Sequence, residues 1–454
     1  MTNTKEEIMD WEDKKVLVLG LSLSGVSAAK HLAKKGAEVY ITEQREEQEK
    51  DLATLAELDL LGIKVEMGKH SKEFLSDLYM AVTSPSVPMD SDLYLRLKED
   101  DVEIISEVSL AYLETEKPFI SITGTNGKTT TTSLVSHILL TEYKAPACGN
   151  IGIPPCDLLD TELDYFVCEM SSFQIVHSVP FKSKIACWTN YTPDHITWHG
   201  TVEKYFEAKA QLFLDEQTPE YSIFNAKDEK LLEFSKQVEG EIFLFDEERD
   251  YNCSYIKDDA IWYRAKAEPE KIIELKECSL VGHHNYQNIM CGVIIAKLVG
   301  VSNENIKSAI MSFKAPEHRL EKVRDFDGIT FYNDSKATNP EAAIVAIDSF
   351  NNQNVILIAG GRDKLTDLTD FCNSVNKHIT SVILIGEATE RFEKELKLNG
   401  FGNIIKEQTM ENAIDKSIEL RPDVVLLSPA CASFDIFSGY EERGTVFKDY
   451  VLSK

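Results

Sequence analysis

One stretch constrains the fold more than any other: Phe119-Ile-Ser-Ile-Thr-Gly-Thr-Asn-Gly-Lys-Thr-Thr130. An apolar run of strand character breaks at Gly124 into a short turn, and the periodicity beyond Gly127 is helical. A buried strand feeding a helix through a glycine turn belongs in a layered α/β sheet. The same order suits a polyphosphate. Glycines let backbone N–H groups approach the anion, Lys128 adds charge, the Thr129 hydroxyl can ligate Mg²⁺, and the helix points its N-terminus at the phosphates. Only two residues separate Gly124 from Gly127, where the common P-loop has four. The glycine turn by itself could be an ordinary strand–helix connection. Strand, Gly-x-x-Gly-Lys-Thr-Thr and apolar helix together favour nucleotide binding.

The rest of the chain repeats the pattern. Aliphatic runs at 16–19, 355–359, 381–385 and 424–427 alternate with amphipathic stretches, and 454 residues suffice for several domains. The expected division is 1–115, 116–314 and 315–454. The first segment opens with a strand at 16–19, then Gly20-Leu-Ser-Leu-Ser-Gly25, a helix to about residue 35, and a strand at 38–42 that ends in Glu43-Gln-Arg45. This is the first β-α-β of a doubly wound sheet. It has two glycines at a spacing that is not the dinucleotide fingerprint. Two readings stay open there: a nucleotide-diphosphate site with the ribose or base near Glu43 to Arg45, or a plain strand–helix turn.

A net charge of −28 opposes nucleic acid and anionic membrane as partners, although a small anion needs only a local cradle. The nine cysteines form no C-x-x-C pair and read as reduced core thiols. No apolar stretch approaches the roughly 20 residues of a membrane span, and the charged first fifteen residues do not resemble a signal peptide. A cytoplasmic protein that neither binds nucleic acid nor inserts into a membrane is expected.

Several strand exits carry candidate site residues. Glu169 closes the apolar run 164–170, where a carboxylate is either metal-bound or sits on an edge strand. His195 and His199 have the spacing of a two-histidine zinc face, but Pro193 before them and Gly200 after them make helix geometry doubtful. His195 is favoured as a single site residue and His199 as structural. His283 and His284 are expected to shape a helix start. Lys209, on a helix, reads locally as a solvated lysine. Asn333-Asp-Ser-Lys-Ala-Thr-Asn-Pro340, Gly360-Gly-Arg-Asp-Lys364 and Leu427-Ser-Pro-Ala-Cys-Ala-Ser433 follow strands of one sheet. They either surround a small polar substrate or cap helices through Asp334 and Ser433.

In sequence order, Gly124-Thr-Asn-Gly-Lys-Thr-Thr130, Glu169-Met-Ser-Ser-Phe-Gln174, 190–195, Gly282-His-His-Asn285, Asn288, His318-Arg319 and Asp334-Ser-Lys-Ala-Thr-Asn339 resemble the Mur ligase superfamily over essentially the whole chain. Gly20 to Gly25 and the closing Ser428–Asp435 and Tyr440–Gly444 segments are similar to the branch that adds D-glutamate to UDP-N-acetylmuramoyl-L-alanine in peptidoglycan synthesis.

The resemblance implies three α/β domains: an N-terminal Rossmann-like sheet for the UDP substrate, a central P-loop-type ATPase domain, and a C-terminal doubly wound Rossmann-like domain for the amino acid. It implies an acyl-phosphate and a tetrahedral intermediate, ATP as co-substrate and two Mg²⁺ sites. A monomer is expected. Carried over by position, Gly124, Thr125, Asn126, Gly127, Lys128, Thr129 and Thr130 form the phosphate loop. Thr129, Glu169, His195 and Lys209 hold metal, and Lys209 matches a carbamylated lysine. Asn285, Asn288, Arg319, Asp334 and Lys336 match further ATP positions. Ser24, Glu43, Arg45 and Asn150 match the UDP-sugar side; Thr338, Lys364, Ser433 and Tyr440 match D-glutamate contacts. Ser86 and Tyr440 depart from the residues common in relatives.

The alternatives are another amino-acid-adding Mur ligase or a folylpolyglutamate synthase-like enzyme, which should lack the leading β-α-β. From other classes, a nicotinamide dehydrogenase would leave the second glycine loop unexplained. A non-catalytic nucleotide sensor would not need Lys128, Glu169, His195 and Lys209 together.

Overall fold

A computed structural model describes residues 10–48, 51–265, 268–280, 282–314, 317–350, 353–363 and 365–454. The chain forms two compact units, Met1–Phe313 and Lys314–Lys454.

The first unit contains two sheets. Strands β1 (Lys15–Leu19), β2 (Glu38–Glu43), β3 (Lys64–Met67), β4 (Met80–Thr83) and β5 (Ile104–Ser106) pair in the order β3-β2-β1-β4-β5, all parallel. Helix α1 (Leu23–Lys34) follows β1 and is capped by the Ser22 hydroxyl, which accepts from the Gly25 N–H. The order reverses between β1 and β4, so their C-terminal ends face the crevice where such sheets bind ligands.

The second sheet holds β6 (Phe119–Thr123), β7 (Ala147–Gly149), β8 (Phe166–Glu169), β9 (Ile185–Trp188), β10 (Tyr221–Asn225), β11 (Glu241–Phe245), β12 (Cys253–Lys257), β13 (Ala260–Arg264) and β14 (Glu270–Glu274). Their order is β14-β13-β12-β11-β10-β9-β6-β8-β7, parallel except for the antiparallel β12-β13-β14 end. Central β6 is completely buried, as the unbroken apolar run requires. Helices α2 (Lys128–Leu139), α3 (Val202–Ala210) and α4 (His283–Val299) belong to this domain.

Both sheets share one hydrophobic core, in which Val16, Val18 and Leu32 join Phe119, Phe166 and Trp188. Polar contacts reinforce the junction. The Ser27 hydroxyl donates to Asp157 Oδ1 at 2.6 Å, and the Cys156 N–H donates to Glu107 Oε1 at 2.7 Å. This shared core explains why the sequence suggests three segments while contacts define two units.

The second unit has β15 (Glu321–Phe326), β16 (Ile329–Asn333), β17 (Val355–Gly360), β18 (Ser381–Ile385), β19 (Ile404–Lys406) and β20 (Val424–Leu427) in the order β15-β16-β20-β17-β18-β19. Only β15 is antiparallel. Helix α5 (Tyr440–Ser453) closes the chain. The expected strands at 355–359, 381–385 and 424–427 are present. The edge strands β15, which is charged, and β19, which has only three residues, were not anticipated, because neither has a fully buried apolar face.

All nine cysteines are buried and free. Among the described residues no helix is long and apolar enough to cross a membrane.

Candidate active site

Three adjacent strands, β8, β6 and β9, bring their C-terminal ends together, pairing Ile122 with Glu169 and Thr123 with Trp188. The loop from Gly124 to Gly127 leaves the central one. Tertiary contacts dictate its glycines. A Cβ on Gly124 (φ +150°) would lie 2.0 Å from Thr189 Oγ1, and one on Gly127 (φ +81°) 2.7 Å from Asn288 Oδ1.

The β9 exit holds this loop in place. Thr189 Oγ1 donates to the Asn126 carbonyl at 2.7 Å. The Asn190 side chain accepts from the Asn126 N–H at 2.9 Å and donates to its carbonyl at 3.0 Å. The Thr125 N–H donates to the Asn190 carbonyl at 3.1 Å, and Thr125 Oγ1 donates to the Thr192 carbonyl at 2.9 Å. Behind the loop, Thr131 donates to Asn288 Oδ1 at 3.0 Å, and Asn288 donates to Asn285 Oδ1 at 3.3 Å. The first turn of α2 thus begins at a left-handed Gly127 with no side-chain cap, an anion-binding arrangement. Thr129 and Thr130 are buried there, and Thr130 Oγ1 has no hydrogen-bond partner.

Two lysines converge on this turn. Lys128 Nζ donates to the carbonyls of Gly124 (3.0 Å) and Thr125 (2.9 Å). Lys209 Nζ donates to the same Gly124 carbonyl at 2.9 Å and to Thr123 Oγ1 at 3.3 Å, and lies 5.0 Å from the centre of the Tyr205 ring. Lys209 is 1% exposed, so the solvated-lysine reading is wrong. Helix α3 turns this position inward, an orientation no local pattern reveals. Burial, and secondarily the Lys128 charge, hold its amine well below the ordinary lysine pKa.

Glu169 is also 1% exposed. Its Oε1 accepts from Asn150 Nδ2 at 2.9 Å, and its Oε2 is buried with no partner. His195 adopts a left-handed backbone (φ +54°) at the start of a four-residue helix, Ile196–His199, and its Nε2 lies 3.4 Å from Asp194 Oδ2. His199 is buried, hydrogen-bonded to Ser172 Oγ at 2.9 Å and stacked on Phe173, and burial lowers its pKa to about 4. It is therefore structural, and the helix is too short to make a zinc face. His283 begins α4 and pairs with Asp246 at 2.9 Å.

Among the described residues no group of three or more His, Cys, Asp or Glu could hold a metal. An orphaned buried carboxylate oxygen, on the strand next to the one that delivers the anion-binding turn, does fit a hard cation whose remaining ligands are phosphate and water. A buried Lys209 amine whose pKa is held well below the ordinary lysine value fits the carbamate that the resemblance implies.

At the β1 exit, Ser24 Oγ lies 3.0 Å from Ser22 Oγ, which in turn lies 2.8 Å from Ser84 Oγ after β4. Glu43 accepts from the backbone N–H groups of Leu21 (2.9 Å) and Arg45 (3.1 Å). Arg45 makes a bidentate pair with Asp51 at 2.6 and 2.8 Å. Both expected base-side residues are thus engaged by neighbouring protein groups.

In the second unit the loops after β16, β17 and β20 come together. Asp334 Oδ2 accepts from Ser428 Oγ at 2.8 Å and Oδ1 from the Leu320 N–H at 3.1 Å. Burial raises the Asp334 pKa to about 6 against the opposing charge of Arg319, whose Nε is itself buried and unpartnered. Asp334 caps no helix; Asn339 does, accepting from the Ala342 N–H at 2.8 Å. Lys336 Nζ lies 5.3 Å from the centre of the Tyr440 ring. Ser433 is buried and Thr338 half-buried, while Lys364 lies outside the described residues.

Sequence reasoning gave no role to Arg443, which ties these loops together. Its Nε donates to Ser335 Oγ (2.9 Å) and its Nη2 to the Ser335 carbonyl (2.7 Å). Its Nη1 donates to the carbonyls of Cys431 (3.1 Å) and Ala432 (3.3 Å). Gly444 follows because a Cβ there would lie 2.2 Å from His318 Nδ1. Thr189 and the Asn190 side chain were also passed over as loop holders, although their place at a strand exit was a usable signal.

Residues 14–106 match the Mur ligase MurD-like N-terminal domain, 122–296 the Mur ligase middle domain, and 318–431 the Mur ligase glutamate ligase domain. The chain belongs to the Mur ligase family, ATP-dependent ligases of three α/β domains. Its full-length likeness is to the D-glutamate-adding branch. The UDP-N-acetylmuramoylalanine–D-glutamate ligases of Thermoanaerobacter sp. (strain X514) and Clostridioides difficile (strain 630) are each 38% identical to it over 451 residues, covering 98% of this chain and 99% of theirs. The solved UDP-N-acetylmuramate-alanine ligase MurC of Thermotoga maritima shares the fold, with a TM-score of 0.59 at 18% identity over 97% of this chain and 100% of that one.

Proposed function

We propose that this protein joins D-glutamate to UDP-N-acetylmuramoyl-L-alanine with consumption of ATP, in peptidoglycan synthesis. The observation that carries the reading is the convergence of the phosphate loop, Glu169 and buried Lys209 on one sheet end, in a chain related over its full length to D-glutamate-adding ligases. Residues 1–115 bind the UDP moiety near Ser24, Glu43 and Arg45. Residues 116–314 bind ATP, and 315–454 take D-glutamate, with Thr338, Lys364, Ser433 and Tyr440 as its contacts. Arg319, Asp334 and Lys336 serve ATP.

The residues divide the work by their chemistry. Lys128 exchanges the Gly124 and Thr125 carbonyls for phosphate oxygens, and the α2 N-terminus supplies fixed N–H donors as charge shifts toward the leaving ADP. The substrate carboxylate attacks the γ-phosphorus, giving an acyl phosphate and ADP. The D-glutamate amine then adds to the acyl carbon, loses a proton, and expels phosphate from the tetrahedral intermediate as the amide forms. The low-pKa Lys209 amine adds to CO₂ with loss of a proton, becoming an anionic carbamate. Thr129, Glu169, His195 and that carbamate would hold Mg²⁺, which when bound neutralises phosphate charge. Burial keeps bulk water from the Lys209 and Glu169 side chains themselves. A monomer is the proposed working form.

The test is phosphate release from ATP with UDP-N-acetylmuramoyl-L-alanine across an amino-acid panel. Release should be fastest with D-glutamate; equal rates with L-glutamate or L-lysine would overturn the assignment.

A further inference from the structure

Resemblance matches Asn150 to a contact with the substrate sugar, and its side-chain amide also reaches Glu169. Asn150 Nδ2 donates to Glu169 Oε1 at 2.9 Å, and the Asn150 backbone N–H donates to the Glu169 carbonyl, also at 2.9 Å. One residue thus grips both ends of another. The preceding Gly149 makes the approach possible. It is left-handed (φ +84°), it pairs with Glu169 across β7 and β8, and a Cβ on it would lie 2.4 Å from the Glu169 carbonyl oxygen. Asn150 itself is exposed, whereas Glu169 beneath it is 1% exposed.

This geometry makes the two carboxylate oxygens unequal. Oε1 is occupied by the amide, and Oε2 is buried without a partner. An ionised carboxylate left free can swing, or chelate through both oxygens. One that is pinned at one oxygen offers the other in a fixed direction, which suits the near-octahedral demands of a small divalent ion. Partners that orient a ligand in this way matter for the metal even though they never touch it.

We propose that Asn150 is a positioning residue that holds Glu169 so that Oε2 alone faces the divalent cation. The inference rests on the ATP-site reading above and adds to it a role for a residue otherwise assigned to the sugar.

The experiment uses the full-length protein with a non-hydrolysable ATP analogue and Mn²⁺ as the probe, with free Mn²⁺ read by electron paramagnetic resonance. Binding of UDP-N-acetylmuramoyl-L-alanine is measured separately by calorimetry. Asn150→Ala should weaken Mn²⁺ binding about 10- to 100-fold in the absence of the UDP substrate. In a Glu169→Gln background the same substitution should add less than about twofold, because the residue acts only through that carboxylate. Unchanged Mn²⁺ affinity with weakened UDP-substrate binding would overturn the proposal in favour of a sugar contact, as would equal effects in both backgrounds. Failure of the unsubstituted protein to bind nucleotide and Mn²⁺ at all would instead remove the ATP-site reading and the proposal with it. The two failures are therefore distinguishable.

Discussion

Replacing Arg443 with methionine tests whether one buried cation organises the loops of the second unit, the proposed amino-acid side. Arg443 is 1% exposed, and burial lowers its pKa only to about 10, so it is charged at neutral pH. Swapping a buried ion pair for apolar residues can be neutral when both charged partners leave together. Here three of the four acceptors are main-chain carbonyls, of Ser335, Cys431 and Ala432, which no side-chain substitution removes. Methionine fills most of the stem volume but leaves these acceptors unpaired at about 1 kcal/mol or more each. Relief from burying a charge offsets part of the loss, for a net cost of about 3 kcal/mol. The second unit has about 140 residues. At roughly 2.1 cal/mol/K per residue its unfolding entropy is about 0.3 kcal/mol/K, so its melting temperature should fall by about 10 °C. Calorimetry gives the shift, and hydrogen exchange locates it. All four tryptophans precede residue 314, so their fluorescence follows the first unit and should melt unchanged. Amide exchange should quicken at 334–338 and 428–433, and the KM for D-glutamate should rise. A shift below about 3 °C with exchange unchanged in both loops would refute this account of Arg443.

Lys209→Ala should lower kcat by about 100-fold or more, in the range for loss of a preorganised electrostatic group. Partial recovery with added short carboxylates is expected, and assays lacking any such rescue would count against the carbamate. Glu107→Gln probes the junction of the first two sheets. Burial lifts the Glu107 pKa from 4.5 to about 7. The folded state therefore keeps a proton that the unfolded chain has already released. The stability this group contributes is complete below pH 4.5 and is lost as the pH climbs through 7. Glutamine retains the acceptor for the Cys156 N–H without titrating. Urea melts should show the variant more stable than the parent by up to about 3 kcal/mol at pH 8.5, with a much smaller difference at pH 5. The same difference at both pH values would show that Glu107 does not titrate as described.

The layered α/β class and the glycine turn that opens a helix were legible from residue order alone, because both are local. Apolar runs of strand length, glycines where the chain must turn left-handed, and an apolar helix after Lys128 need no distant partner to be recognised. The same signals located the strand exits that carry Glu169, His195, Asp334 and Ser433. Tertiary structure decided what those side chains became. Lys209 reads as a surface lysine until packing buries it against Gly124 and lowers its pKa. Asn150 became a clamp on Glu169, and Asn339, rather than Asp334, became the helix cap. Arg443 acquired its role only when two loops nearly a hundred residues apart closed around it. Local sequence sets backbone preference, whereas protonation and hydrogen-bond choice depend on which groups share a volume from which water has been removed, and only the folded chain brings those groups together.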